Sequence, residues 1–127
     1  MKKVKGILVP VLCTAAALIL LKTLFLIGYV PSASMEPTLK QGSIIIGIRM
    51  LGELKTDDII IFEHEGKLLV KRIAASPGET IEELDTSTTV PDQCYYVLGD
   101  NADISYDSRF WNNPFIKKDS IVAKLIC

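Results

Sequence analysis

Three short segments hold the side chains that could do chemistry. The first is Pro31-Ser32-Ala33-Ser34-Met35-Glu36-Pro37-Thr38-Leu39, a stiff, irregular turn with two serines and two prolines ahead of Thr38. Serine is not nucleophilic at its own pKa, so a catalytic Ser34 needs a base within hydrogen-bond reach and donors aimed at the developing oxyanion. The second is the apolar run Leu68-Leu69-Val70-Lys71-Arg72-Ile73-Ala74, which leads into a Pro77-Gly78 turn. Period-two alternation puts Leu69, Lys71 and Ile73 on one face and Leu68, Val70, Arg72 and Ala74 on the other. Only the lysine can act as a base, because desolvation lowers an ammonium pKa toward neutrality while a guanidinium stays protonated. The third is Gly99-Asp100-Asn101-Ala102-Asp103-Ile104-Ser105-Tyr106-Asp107-Ser108-Arg109, whose short polar side chains suit a scaffold that fixes other groups by hydrogen bonds. Taken singly, each segment reads more readily as ordinary structure: a polar linker, an amphipathic strand with wet charged heads, and a surface loop with an Asp–Arg pair.

The elements that must position these groups follow from the rest of the chain. Its 127 residues leave room for one modest domain once a membrane segment is subtracted. Gly6 to Tyr29 is an apolar stretch whose only charge is Lys22; as a helix it would reach roughly 36 Å, enough to span a bilayer. Lys2, Lys3 and Lys5 precede it, and the next basic residues after Lys22 are Lys40 and Arg49, so the N-terminus is expected inside and everything after Val30 outside. Lys22 is expected to snorkel toward the headgroups. A cleavable leader ending near Ser32-Ala33-Ser34 is the rival, disfavoured because the apolar stretch is longer than the ~7–15 residues of such a leader's core.

Beyond the anchor, 10 Lys+Arg stand against all 15 Asp+Glu, a formal charge of −5, which makes nucleic acid a poor partner. Strands are predicted at Ser43–Arg49, Asp58–Phe62, Lys67–Ala74, Cys94–Leu98 and Ser120–Ile126, giving a compact all-β domain. Glu63-His64-Glu65-Gly66 reads as a hairpin turn with His64 as a solvated loop residue, and Thr86–Thr89 as an exposed loop. No metal-ligand spacing is present, so no metal or other cofactor is expected. Cys94 and Cys127 would share a compartment that permits a disulfide, with their pairing left open.

Together, Pro-Ser-x-Ser34-Met35-x-Pro-Thr-Leu, Lys71-Arg72-Ile73 leading to Pro77-Gly78, and Gly99-Asp100-Asn101 followed by Ser105-x-Asp107-Ser108-Arg109 closely resemble the type I signal peptidases, in that family's order. The resemblance implies a mainly β fold: a compact catalytic domain (30–127) behind a basic cytoplasmic N-terminus (1–5) and one transmembrane helix (6–29). It implies a Ser34–Lys71 dyad, with an oxyanion hole from the Ser34 N–H and the Ser32 hydroxyl. Ser105 would hydrogen-bond and aim Lys71, Asp107 and Arg109 would brace the loop as an ion pair, and Asp100 would add support. Substrates would be signal peptides of exported preproteins with small residues at the first and third positions before the cut. Met35, Leu39 and Val70 would wall the first pocket, and Ile45 with Val70 the third. The implied surroundings are the lipid bilayer, with a place near the secretion translocon. The interval between Pro77-Gly78 and Gly99 is short, as in the single-anchor form typical of Gram-positive bacteria. Ser43, Ala102 and Asn112 depart from the family's common aspartate, arginine and glycine, which bears on loop geometry and rate. Two other designs share some of these features: a cytoplasmic self-cleaving repressor-type peptidase, against which the span and the acidic domain count, and a catalytically idle anchored β-module that binds peptides or membrane proteins.

Overall fold

The apolar stretch winds into α1 (Lys2–Leu24) in the computed structural model, which describes residues 2–83 and 86–126. Its segment Gly6–Leu24 is 19 residues long and apolar enough to cross a membrane, and its sides are not buried against the rest of the described chain. Lys22 falls in the last turn, where the partial negative charge of the helix end favours a cation.

The helix does not run on to Tyr29 as the apolar pattern predicts. Phe25–Tyr29 instead form β1, paired antiparallel with β2 (Ile44–Ile48) from Phe25↔Ile48 to Tyr29↔Ile44. Hydropathy cannot separate a spanning helix from an apolar edge strand that follows it directly; the β-pairing of these backbones decides. Arg49 closes the junction, its N–H donating to the Leu24 carbonyl at 2.7 Å and its Nε to the Phe25 carbonyl at 3.3 Å. These satisfy carbonyls that the terminated helix leaves without partners.

The remaining strands are β3 (Ile59–His64), β4 (Lys67–Ala75), β5 (Thr80–Glu83), β6 (Thr86–Thr89), β7 (Cys94–Leu98), β8 (Phe115–Lys117) and β9 (Ile121–Leu125). Seven form one antiparallel sheet in the order β1-β2-β9-β3-β4-β7-β8, and β5-β6 is a separate hairpin. The chain is therefore mainly β behind one N-terminal apolar helix, as its residue pattern predicts. Every predicted run carries a strand, while β1, β5, β6 and β8 are additional. Thr86–Thr89 is exposed as expected, but it is a strand of the small hairpin rather than a loop. The β3–β4 turn has Glu65 and Gly66 both at positive φ, 50° and 77°, the geometry of a two-residue hairpin turn that matches strand twist.

Consecutive residues of β3 feed two cores, as period two requires. Ile60 and Phe62 join Ile73, Tyr95, Val97, Trp111 and Ile121 on one side. Ile61 joins Val30, Ile45 and Ala123 on the other, with Leu26, Leu39 and Val70 packed against them. Apolar side chains left exposed on the sheet concentrate on the β1–β2 edge next to the helix, notably Ile27 (75%) and Ile44 (74%).

Candidate active site

Between β1 and β2 the chain makes an excursion closed at its base by Val30, whose N–H donates to the Ser43 carbonyl and whose own carbonyl accepts from Gly42. Ser32 and Ser34 lie on this excursion, and the buried Met35 anchors it from below. Lys71 sits in β4 directly opposite Ile60 of β3, in the middle of the sheet. Only 4% of the lysine is exposed, and its Nζ donates to Ser34 Oγ at 2.8 Å. Burial pushes its pKa below the ordinary lysine value, although the Asp107 carboxylate pulls the other way. A neutral Lys71 presents a lone pair to the Ser34 hydroxyl, the arrangement a general base requires.

Ser32 Oγ donates to Ser34 Oγ at 3.1 Å and lies 3.5 Å from the Ser34 N–H. The Ser32 hydroxyl and the Ser34 N–H are thus both donors beside Ser34 Oγ. An adjoining cleft of about 320 Å³ runs from Lys71 and Ser34 past Met35, Ile45 and Val70 to β1, with largely apolar walls.

The loop after β7 supports both groups. A side chain at Gly99 would collide with the Ser34 carbonyl oxygen and with Ser105, so only glycine lets the two segments approach. Asp100 takes the Arg72 guanidinium in a two-pronged pair, Nε at 2.9 Å and Nη2 at 2.8 Å, and accepts from Thr38 Oγ1 at 2.6 Å. The Arg72 hydrogen bonds hold the Asp100 carboxyl below its ordinary pKa against the cost of burial, with help from Thr38. Asp107 is fully buried; burial alone would raise its pKa, but hydrogen bonds from Arg109 and the Gly99 N–H, with the nearby Ser105 hydroxyl, outweigh it. The Arg109–Asp107 pair is closed at 2.9 Å, and Gly99 N–H donates to Asp107 at 3.0 Å.

The family described as signal peptidase, peptidase S26, matches residues 3–87 and 81–127. The chain belongs to that family. Signal peptidase I T of Bacillus subtilis is 32% identical, the alignment covering 83% of this chain and 72% of that protein. Signal peptidase I of Bacillus caldolyticus is 29% identical over 76% of this chain and 74% of its own length. Probable signal peptidase I-1 of Synechocystis sp. is 28% identical over 91% and 77%. This chain is thus a type I signal peptidase, a serine peptidase with an apolar N-terminal anchor helix.

In this signal peptidase the residues singled out by sequence fall into three groups. Ser32, Ser34, Lys71, Asp100, Asp107 and Arg109 lie in one connected cluster, and Met35, Ile45 and Val70 line its cleft. Leu39 does not line the cleft: one helical turn, with its N–H on the Met35 carbonyl at 2.9 Å, rolls it into the core below. Ser105 is buried beside Gly99, and no hydrogen bond joins it to Lys71; its hydroxyl instead lies near Asp107, where it helps to lower that carboxyl's pKa. The hydrogen bond of Lys71 Nζ is to Ser34 Oγ. His64 is not a solvated loop residue, since its ring stacks on Trp111 with centroids 3.9 Å apart. The pairing of Cys94 with Cys127 lies outside the described residues, because Cys127 does. The sequence-based reading missed Thr38, Asn101 and the β1 wall of the cleft; the polar Gly-Asp-Asn run was the available signal for Asn101.

Proposed function

We propose that this signal peptidase cuts signal peptides from exported preproteins after small residues at the first and third positions before the scissile bond, using Ser34 and Lys71 as a dyad. The observation that carries the proposal is the 2.8 Å contact between a buried Lys71 Nζ and Ser34 Oγ beside an apolar cleft. Lys71 takes the Ser34 proton as Oγ attacks the scissile carbonyl. The Ser34 N–H and the Ser32 hydroxyl, once turned from Ser34 Oγ, hold the oxyanion of the tetrahedral intermediate. The Lys71 ammonium then gives its proton to the leaving amine, and a water deprotonated by the same lysine releases the acyl group from Ser34.

Small-residue preference follows from Met35, Ile45 and Val70, which exclude bulk by contact and charge by desolvation. In the proposed topology residues 1–5 are cytoplasmic, the helix spans the membrane, and the domain after it lies outside near the translocon that delivers substrate. The exposed apolar β1–β2 edge beside the helix suits contact with the bilayer. Cleavage of a preprotein with an Ala-x-Ala site by detergent-solubilised enzyme, with sequencing of the product N-terminus, tests this. A cut after the second alanine that is lost in Ser34→Ala supports the proposal; a cut elsewhere, or one that survives Ser34→Ala, contradicts it.

A further inference from the structure

Asn101 holds the nucleophile's backbone twice. Its N–H donates to the Ser34 carbonyl at 2.9 Å, and its side-chain Nδ2 donates to the Ala33 carbonyl at 3.1 Å. The Ala33 carbonyl and the Ser34 N–H are the two poles of one planar trans peptide and point in opposite directions. Whatever fixes the carbonyl therefore aims the N–H. The same carbonyl also accepts from the Glu36 N–H at 3.1 Å, a bond within the nucleophile excursion itself. Asn101 Nδ2 ties that peptide to the loop that follows β7.

We propose that Asn101 is a positioning residue that sets the Ala33–Ser34 peptide so that its N–H meets the oxyanion. This rests on the dyad reading above and extends it to the direction and strength of one oxyanion donor. A hydrogen bond at the carbonyl polarises the peptide, and the N–H opposite becomes a better donor. The contact is already made in the resting enzyme, so no reorganisation is needed when charge develops on the substrate oxygen. Within Gly99-Asp100-Asn101 the three residues then play distinct parts. Gly99 allows close approach to Ser34, Asp100 clamps Arg72 and Thr38, and Asn101 orients the oxyanion donor.

The test compares the full-length parent with Asn101→Ala, Asn101→Asp and Ser34→Ala in detergent. Asn101→Asp keeps shape and backbone hydrogen bond but replaces the Nδ2 donor with an acceptor, so it decides the matter should Asn101→Ala fail to fold. The readouts are kcat and KM for a preprotein, inhibition by a peptide aldehyde whose adduct carries the oxyanion, and binding of an uncleavable signal-peptide analogue to the ground state. The expected result is a kcat and an aldehyde affinity each lower by about 10- to 100-fold, with analogue binding unchanged within about twofold. For Asn101→Ala the acid limb of the pH profile should stay where it is, since no charge has been added near Lys71. Parental kcat and aldehyde affinity in the Asn101 variants, or equal loss of aldehyde and analogue binding, would overturn the proposal while Ser34→Ala is inert. Cleavage that survives Ser34→Ala would instead sink the dyad reading on which it stands.

Discussion

Lys71 and Ser34, the proposed base and nucleophile, are held in opposite ways. Lys71 belongs to β4, paired on both sides by β3 and β7 in the interior of the sheet, and its position is set by strand register and burial. Ser34 belongs to an irregular excursion between β1, the edge strand next to the helix, and β2, and its position is set by single hydrogen bonds from Asn101, by Met35 and by the Thr38–Asp100 contact. Lys71 thus sits on a scaffold that moves only if the sheet does. Ser32 and Ser34 line an open cleft, on irregular backbone where small losses of support become losses of alignment.

The largest effects should come from removing the reacting groups, whichever scaffold carries them. Ser34→Ala and Lys71→Met should each lower kcat by at least about 1000-fold. Stability should separate the two. Lys71→Met removes a desolvated amine from a buried site, so at neutral pH it should be at least as stable as the parent, by on the order of 1 kcal/mol in thermal unfolding. A Lys71→Met protein that unfolds markedly more easily would mean the lysine is a structural tie, and the contrast between base and nucleophile would fail.

Ser32→Ala comes next. Loss of one oxyanion donor on the excursion should lower kcat by about 100-fold while KM changes little, measured on the same preprotein. Asp107→Asn probes the support beneath both groups. It breaks the ion pair between the fully buried Asp107 and the partly exposed Arg109 and should cost about 2 kcal/mol in denaturant unfolding. The native Asp107 carboxyl lies below its ordinary value of 3.8, so the unfolded chain takes up the proton first as pH falls. Its stabilisation is therefore complete well above that value and is lost as pH falls through the lowered native one; Asp107→Asn should flatten that part of the acid-unfolding curve. Thr38→Val should have the smallest effect. It removes one 2.6 Å hydrogen bond to Asp100 and should cost about 1 kcal/mol at most, with a few-fold fall in kcat and Lys71 untouched.

The same contrast explains what could be read from sequence. Strand-borne features were legible because alternation and β-branched runs report them directly, as at Ile59–His64 and Lys67–Ala75. The two serines, Lys71 and the Asp107–Arg109 pair were legible as a joint pattern. Contacts made by irregular backbone were not. Leu39 turns inward because of one helical turn after Met35, Ser105 is pressed against Gly99 instead of reaching the lysine, and His64 finds Trp111 across a long interval of sequence. Phe25–Tyr29 shows the remaining limit: an apolar edge strand that continues a spanning helix carries no signal of its own, and only its pairing with Ile44–Ile48 reveals it.

The most direct test of a buried lysine acting as base on Ser34 is the pH dependence of kcat/KM, compared between the parent and an enzyme whose Lys71 is replaced by thialysine. That enzyme is made by aminoethylating Lys71→Cys in a background with Cys13, Cys94 and Cys127 changed to serine. Activity should rise with pH through loss of one proton, with a midpoint below the ordinary lysine value of 10.5, and the less basic thialysine should move that midpoint to lower pH. A profile that is flat, or whose midpoint stays in place when the amine is exchanged, would contradict a lysine base.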